Sequence, residues 1–130
     1  MKKIFALIAL VLVLLTSSTM AAESRWHYLA STSNVNIYVD SMTIRSYGND
    51  GDKYLDFWIK AKFNEAYILE HYNLRLKNSN YLELDYAVFD SKGNQTQHEN
   101  RRQNGWKQLT PDTNLESIMR KTVAFYCSNR

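Results

Sequence analysis

The sequence predicts an α+β domain, with a single antiparallel β-sheet of about six strands and one C-terminal amphipathic helix packed on one face. Apolar and polar residues alternate in successive segments that are separated by turn residues, which is typical of strands with one buried face. After Pro111 the apolar period lengthens to about 3.6 residues, as in a helix with one apolar stripe. A single helix that follows a run of strands is expected to bury its stripe on their sheet.

The segment 53–63 gives the clearest strand signal. Apolar side chains recur there at every second position, namely at Leu55, Phe57, Ile59, Ala61 and Phe63. We expect this set to face the core, because successive side chains of a strand point to opposite faces. Trp58, Lys60 and Lys62 then lie on the other face, where a mixture of aromatic rings and charges suits water or a partner.

Further strands are predicted over 25–31, 35–39, 67–76, 81–89 and 95–102. In the first, Trp26, Tyr28 and Ala30 should share one face. The last is polar, which predicts a position at the sheet margin. The residues 48–52, Gly-Asn-Asp-Gly-Asp, predict a hairpin loop.

Two of these strands also give expectations about the core. In 67–76 the core side should carry Tyr72, Leu74 and Leu76. In 81–89 the core side should carry Leu82, Leu84, Tyr86 and Val88. Strict alternation also places the two acids Glu83 and Asp85 together on the opposite face.

The predicted helix begins near Thr113, because Thr113 and Glu116 fit a capping box in which each side chain satisfies a backbone donor. Its stripe is Leu115, Ile118, Met119, Val123, Tyr126 and Cys127. The chain has one cysteine, so it cannot close an internal disulfide. We therefore expect Cys127 to be a buried free thiol, since cysteine is among the most buried residue types.

Residues 1–22 have the order of a cleaved secretory signal peptide: Lys2 and Lys3, an apolar run from Ile4 to Leu15, then small and polar residues. The apolar run is shorter than the roughly 20 residues of a spanning helix. The sequence thus predicts export to the periplasm, the cell surface or the medium. Residues 23–130 would form one mature domain without a transmembrane segment.

The charge balance does not favour a nucleic-acid partner. The whole chain has 16 basic and 13 acidic residues and a pI near 9.0. Without Lys2 and Lys3, 14 basic residues remain against 13 acidic ones, a charge near +1. The densest basic group, Arg101 and Arg102 with Lys107, is interpreted as a solvated loop rather than a binding patch.

No constellation of catalytic or metal-binding residues is visible, so we expect neither an enzyme nor a cofactor. His27, His71 and His98 lack the spacing of a zinc site and are interpreted as surface residues. Asp50 and Asp52 match a calcium loop only in their alternate spacing, because the glutamate at its twelfth position is missing.

Several short segments together carry a family resemblance. They are Trp26, Ile37-Tyr38-Val39-Asp40, Thr43-Ile44-Arg45, Phe57-Trp58-Ile59-Lys60, Phe89-Asp90 with Gly93, Trp106 with Leu109, Pro111, Thr113 and Glu116, and the cysteine near the C-terminus. In order and spacing this set resembles the bacterial surface-adhesin protein E family over nearly the whole mature chain. The resemblance implies a six-stranded antiparallel sheet with a C-terminal helix, and adhesion to host extracellular-matrix proteins.

The resemblance also implies a disulfide between the terminal cysteine and a second cysteine ahead of the penultimate strands. Residues 77–80 of this chain are Lys-Asn-Ser-Asn, so that bond is absent. A native disulfide typically contributes about 2 to 4 kcal/mol. We therefore expect the helix to be held by Leu115, Met119 and Val123 alone.

These observations predict an exported, adhesin-like binding module whose partner is a protein, such as a host matrix protein. The alternative is a periplasmic structural or stress-related envelope protein without an external ligand. The candidate binding residues are Trp58, Lys60 and Lys62, with Arg75 on a neighbouring strand. Two other interpretations of Trp58 are open: it packs under the lysine stems, or a second subunit of a homodimer covers this face.

Overall fold

The computed structural model describes residues 25–129, which form one antiparallel sheet and one α-helix. The strands are β1 (Trp26–Thr32), β2 (Val35–Asp40), β3 (Arg45–Asn49), β4 (Asp52–Phe63), β5 (Ala66–Arg75), β6 (Asn80–Phe89), β7 (Gln95–Asn100) and β8 (Lys107–Gln108). A 3₁₀ helix spans Arg102–Asn104, and helix α1 spans Asn114–Ser128. The predicted fold class is confirmed; the predicted signal peptide, 1–22, lies outside the described residues.

Six strands make the main path of the sheet, in the order β1-β2-β4-β5-β6-β7. The two short strands are additional, because β3 pairs with the start of β4 and β8 pairs with the start of β6. Strand β4 has 12 residues, so one of its edges is long enough to pair with two strands. It pairs with β3 along its first half and with β2 along its second half. The hairpin predicted at 48–52 connects β3 to β4.

The core lies between the sheet and helix α1. Leu55, Phe57 and Ile59 are at most 3% exposed, as predicted, and Tyr72 and Leu74 of β5 are also buried. Each of the buried leucine, isoleucine and phenylalanine side chains contributes about 1.5 to 3 kcal/mol relative to its exposed state. The prediction for Leu76 is wrong: it follows the end of β5 and is 39% exposed.

A β-bulge in β6 contradicts the predicted alternation of that strand. His71 is opposite Asp85, whereas the next residue, Tyr72, is opposite Glu83, so Leu84 is the extra residue. One extra residue reverses which face the following side chains occupy. Glu83 therefore shares the helix-bearing face with Tyr72, and Asp85 lies on the opposite face, not beside Glu83 as expected.

The same bulge changes the face of the residues that precede it in β6, whereas Tyr86 and Val88, opposite Glu70 and Ile68, keep the helix-bearing face that was predicted for them. Before it, Tyr81 is opposite the buried Leu74 and packs against the core, whereas Leu82 is opposite Asn73 on the other face. Leu84 is buried, as expected, but at the bulge itself.

A second bulge, in β1, likewise reverses which face the side chains after it occupy. Tyr28 is opposite Tyr38, but Ala30 is opposite Ile37, which leaves Leu29 as the extra residue. Trp26 and Tyr28 consequently lie on one face and Ala30 on the other, contrary to the predicted alternation.

Helix α1 starts as predicted. The Thr113 hydroxyl accepts a hydrogen bond from the Glu116 N–H at 3.2 Å, and the Glu116 carboxylate accepts one from the Asp112 N–H. The expectation that Leu115, Met119 and Val123 alone hold the helix is wrong, because Ile118, Phe125 and Tyr126 also pack against the core. Phe125 stacks on His27 with 4.2 Å between ring centroids, and the Tyr126 and Ser46 hydroxyls lie 2.8 Å apart.

Cys127 is exposed, so the prediction of a buried thiol is wrong. Residues four apart on a helix are separated by about 400°, so each such step drifts about 40° around the axis. Three steps from Leu115 rotate Cys127 about 120° away from the sheet. Thr122, which was not part of the predicted stripe, faces the sheet instead. It is completely buried, and its hydroxyl donates to the Ile118 carbonyl.

Candidate functional site

The candidate site lies on the sheet face opposite helix α1, called here the open face. Cross-strand register defines it: Tyr38 of β2 is opposite Lys60 of β4, and Lys60 is opposite Leu69 of β5. Its side chains in this region are Trp26, Tyr38, Trp58, Lys60, Lys62, Tyr67, Leu69 and His71. The structure thus brings three of the predicted site residues, Trp58, Lys60 and Lys62, together with aromatic residues of three neighbouring strands.

Trp58 is held in place by its neighbour across the strand pair. Its ring stacks on His71, with centroids 4.6 Å apart and an interplanar angle of 8°. His71 is itself fixed, because its Nε2 lies 2.8 Å from Asp56 Oδ1. Trp58 is therefore a partly buried ring whose orientation is set by its stack on His71. An oriented aromatic loses little conformational entropy when it contacts a partner.

Lys60 lies among aromatic rings. Its Nζ is 4.4 Å from the Tyr67 ring centroid and 5.3 Å from that of Trp26, which are cation–π distances. Burial lowers the pKa of Lys60, and the neighbouring charge of Lys62 lowers it further. Among residues 25–129 neither lysine has a carboxylate partner.

Arg75 is also on the open face but belongs to a different environment. It lies opposite Tyr54, four residues along β5 from His71 and therefore roughly 13 Å from it. Its guanidinium donates to both oxygens of Asp52, each at 2.8 Å. The structure thus separates Arg75 from the two lysines and gives its charge a partner within the chain.

Two shallow depressions flank Trp26 on the open face. One, of about 190 Å³, is lined by Trp26, Tyr38, Lys60 and Lys62, and is called here the cationic depression. The other, of about 220 Å³, is lined by Arg25, Trp26, Asp40, Thr43, Trp58 and Leu69, and is called here the tryptophan depression. Trp26 forms the common wall, so a single ligand could contact both.

An ion pair forms one side of the tryptophan depression. Arg25 Nε donates to Asp40 Oδ1 at 2.9 Å, and its Nη2 donates to Asp40 Oδ2. Asp40 is buried and also accepts from the Thr43 hydroxyl and the Met42 N–H. Burial raises the pKa of Asp40, but these hydrogen bonds outweigh burial, so the pKa lies below its ordinary value.

A chain of ionisable side chains beside Trp58 was not predicted from the sequence. His71 Nδ1 lies 3.5 Å from Asp85, and Asp85 in turn lies within 4 Å of His98 and Arg102. The expectation that all three histidines are surface residues is wrong for His71, whose side chain is only 16% exposed. The pairing of β5 with β6 brings these residues together, and the bulge at Leu84 sets that register.

The basic group Arg101, Arg102 and Lys107 is divided by the structure. Arg101 is ion-paired with Glu83 and Glu99, each at 2.9 Å, and its guanidinium carbon lies 3.7 Å from the Tyr86 ring centroid. Arg102 and Lys107 are exposed, the first in the 3₁₀ helix and the second in β8. The interpretation as a solvated loop therefore fails for Arg101, which is partly buried.

Residues 25–129 contain no cluster of three or more His, Cys, Asp or Glu side chains placed to hold a metal ion. Within the same range, no helix has the length and apolar character needed to cross a membrane. In comparisons with known proteins, no family model, curated protein or solved structure matches this chain. Its function is therefore inferred from the geometry of the open face and from the sequence.

Proposed function

We propose that this protein is an exported binding module of the surface-adhesin protein E type, which engages a protein partner such as a host extracellular-matrix protein through its open face. The observation that carries the proposal is the pair Lys60 and Lys62. Both lysines lack a carboxylate partner among residues 25–129, and both border a depression walled by aromatic rings.

The composition of this surface supports protein binding. Tryptophan and tyrosine are enriched at the energetically important centres of protein interfaces, where they fill desolvated pockets. Trp26, Tyr38 and Trp58 line the two depressions, and Trp58 is already oriented by His71. A rigid aromatic surface with unpaired cations is suited to a partner that supplies apolar contacts and negative charge.

Export is supported by the order of residues 1–22, in which a charged start, a short apolar run and small residues follow one another. An exported chain can meet matrix proteins directly. The resemblance to the adhesin family supports the same partner class.

The test is binding of the mature chain to a panel of purified matrix glycoproteins immobilised on a biosensor. Trp58→Ala should weaken binding by about tenfold or more, as expected for a central aromatic contact. The matched control is Trp106→Ala, because Trp106 is 45% exposed and lines neither depression. Both variants should keep the circular dichroism spectrum of the unmodified chain.

Two results would contradict the proposal. One is the absence of saturable binding to every matrix protein of the panel. The other is equal binding by the Trp58→Ala and unmodified chains with the fold intact, which would move the site away from the open face and toward the exposed Arg102 and Lys107.

A further inference from the structure

The two depressions beside Trp26 define the kind of segment that fits them. Resting on the proposed function, we propose that the open face binds an extended protein segment that carries an acidic residue and, two positions away, an apolar residue. The acidic side chain lies in the cationic depression between Lys60 and Lys62. The apolar side chain lies in the tryptophan depression against Trp58 and Leu69.

The charge requirement follows from the neighbours of the two lysines. Lys60 is opposite Tyr38 on one side and Leu69 on the other, and Lys62 is opposite Asn36 and Tyr67. None of these positions supplies a carboxylate. The two ammonium groups repel each other next to aromatic surface, so a carboxylate from a partner would relieve this repulsion and form charge-assisted hydrogen bonds.

The spacing follows from strand geometry. Trp58 and Lys60 are two residues apart on the same face of β4, and a strand rises about 3.3 Å per residue, so their Cα atoms are roughly 7 Å apart. Alternate residues of an extended ligand have the same separation. An acidic residue above Lys60 therefore places the second residue along the ligand above Trp58.

The tryptophan depression requires an apolar group rather than a second charge. The charges at its side, Arg25 and Asp40, already neutralise each other through their two hydrogen bonds. The remaining walls are Trp26, Trp58 and Leu69, with the Thr43 hydroxyl already donated to Asp40. Two unpaired lysines are also fewer than the run of phosphate contacts that nucleic-acid binding needs, which favours a protein segment.

The probe is a fluorescein-labelled peptide with three Asp-Thr-Leu-Thr repeats, measured by fluorescence anisotropy at low ionic strength. Two control peptides replace every aspartate by asparagine or every leucine by serine, and a third places aspartate and leucine side by side. Each change should weaken binding to the unmodified protein by about tenfold or more, because each removes one of the paired contacts or their spacing.

The protein variants use matched charge changes. Lys60→Ala with Lys62→Ala should weaken binding of the first peptide by about tenfold and remove its dependence on aspartate. Lys92→Ala with Lys121→Ala removes the same charge from exposed positions outside the two depressions and should change binding by less than about twofold. Equal loss in both double variants would overturn the inference, since it would show a general charge effect.

Other outcomes separate this inference from the proposed function. Matrix proteins that bind equally to the Lys60/Lys62 variant, together with no binding of the peptide, would overturn the inference and leave the adhesive function standing. Peptide binding with the expected pattern, without binding to any matrix protein, would support the inference and reject matrix adhesion. Tighter binding of a single-stranded oligonucleotide at the same lysines would also overturn it.

Discussion

Arg75 of β5 and Asp52 of β4 form a bidentate ion pair, with both nitrogen–oxygen distances at 2.8 Å. The same guanidinium lies 5.7 Å from the ring centroid of Tyr54. The charge of this arginine is therefore already paired with a carboxylate of the same chain, and its guanidinium lies beside an aromatic ring. Although Arg75 is on the open face, it therefore differs from Lys60 and Lys62, which have no carboxylate partner among the described residues.

We predict that Arg75→Ala leaves matrix-protein binding within about twofold of the unmodified chain, because a charge already paired within the chain adds little to an interface. Biosensor titration measures this. The comparison is Lys62→Ala, which should weaken binding more. A larger effect of Arg75→Ala than of Lys62→Ala would place the binding site near Asp52 and Tyr54 instead.

The buried ion pair of Asp40 should make a measurable contribution to stability. We predict that Asp40→Ala lowers the free energy of unfolding at pH 7 by about 2 kcal/mol, because Arg25, Thr43 and the Met42 N–H all lose their acceptor. Urea unfolding followed by circular dichroism measures the change.

The pH dependence of that contribution has a definite sign. The pKa of Asp40 is lower in the folded chain, so its carboxylate stabilises the fold above the unfolded-state value of about 3.9. This stability is lost as the pH falls through the folded-state pKa. The difference between the unmodified chain and Asp40→Ala should therefore shrink in acid; a difference that grows below pH 4 would contradict the assignment.

Glu70, on the helix-bearing face, should behave in the opposite way. Burial raises its pKa; the hydrogen bond from the Tyr72 hydroxyl opposes the rise, and the nearby Glu83 carboxylate adds to it. A raised acid pKa means that stability falls as the pH rises from the unfolded-state value, about 4.3, through the folded-state pKa.

We predict that Glu70→Gln stabilises the fold by about 1 kcal/mol at pH 7 and has little effect below pH 4, because the amide cannot ionise. Its oxygen can still accept from Tyr72, and its N–H can donate toward Glu83. Glu99→Gln is the control, since hydrogen bonds from Arg101 and Gln97 lower the pKa of Glu99. Thermal melts at several pH values should give the two variants shifts of opposite sign.

The thiol of Cys127 should be accessible in the folded protein. We predict that a maleimide reagent labels the native chain to one equivalent at a rate close to that of the urea-unfolded chain, because the residue is exposed on helix α1. Mass spectrometry of timed samples measures the labelling. A rate at least a hundredfold slower in the native state would show that the thiol is buried after all.

Local patterns were sufficient to predict the sheet and the helix. Period-two alternation identified the buried side of β4, because a strand without irregularities keeps its alternation. The capping residues located the start of α1, because Thr113 and Glu116 interact within a single helical turn and so give a local signal.

Features that depend on register or on accumulated rotation were not predictable in this way. The bulge at Leu84 has no local signal in an alternating apolar segment, so its consequences for Leu82 and Glu83 were missed. Cys127 was misplaced because a small drift per step accumulates along the helix. Trp58, Lys60 and Lys62 could be assigned to one face from their spacing, but the stack of Trp58 on His71 depends on how β4 and β5 pair.

The extra residue in β6 also affects how mutational scans of this chain should be read. Glu83 and Asp85 are two positions apart, yet Glu83 pairs with Arg101 beside the helix-bearing face and Asp85 approaches His71 beneath the open face. A charge reversal at Asp85 can disturb the support of Trp58, whereas the same reversal at Glu83 acts on the other side of the protein. Deleting Leu84 would remove only the extra residue, so Glu83 would stay opposite Tyr72 and Asp85 opposite His71, and both carboxylates would keep their present faces.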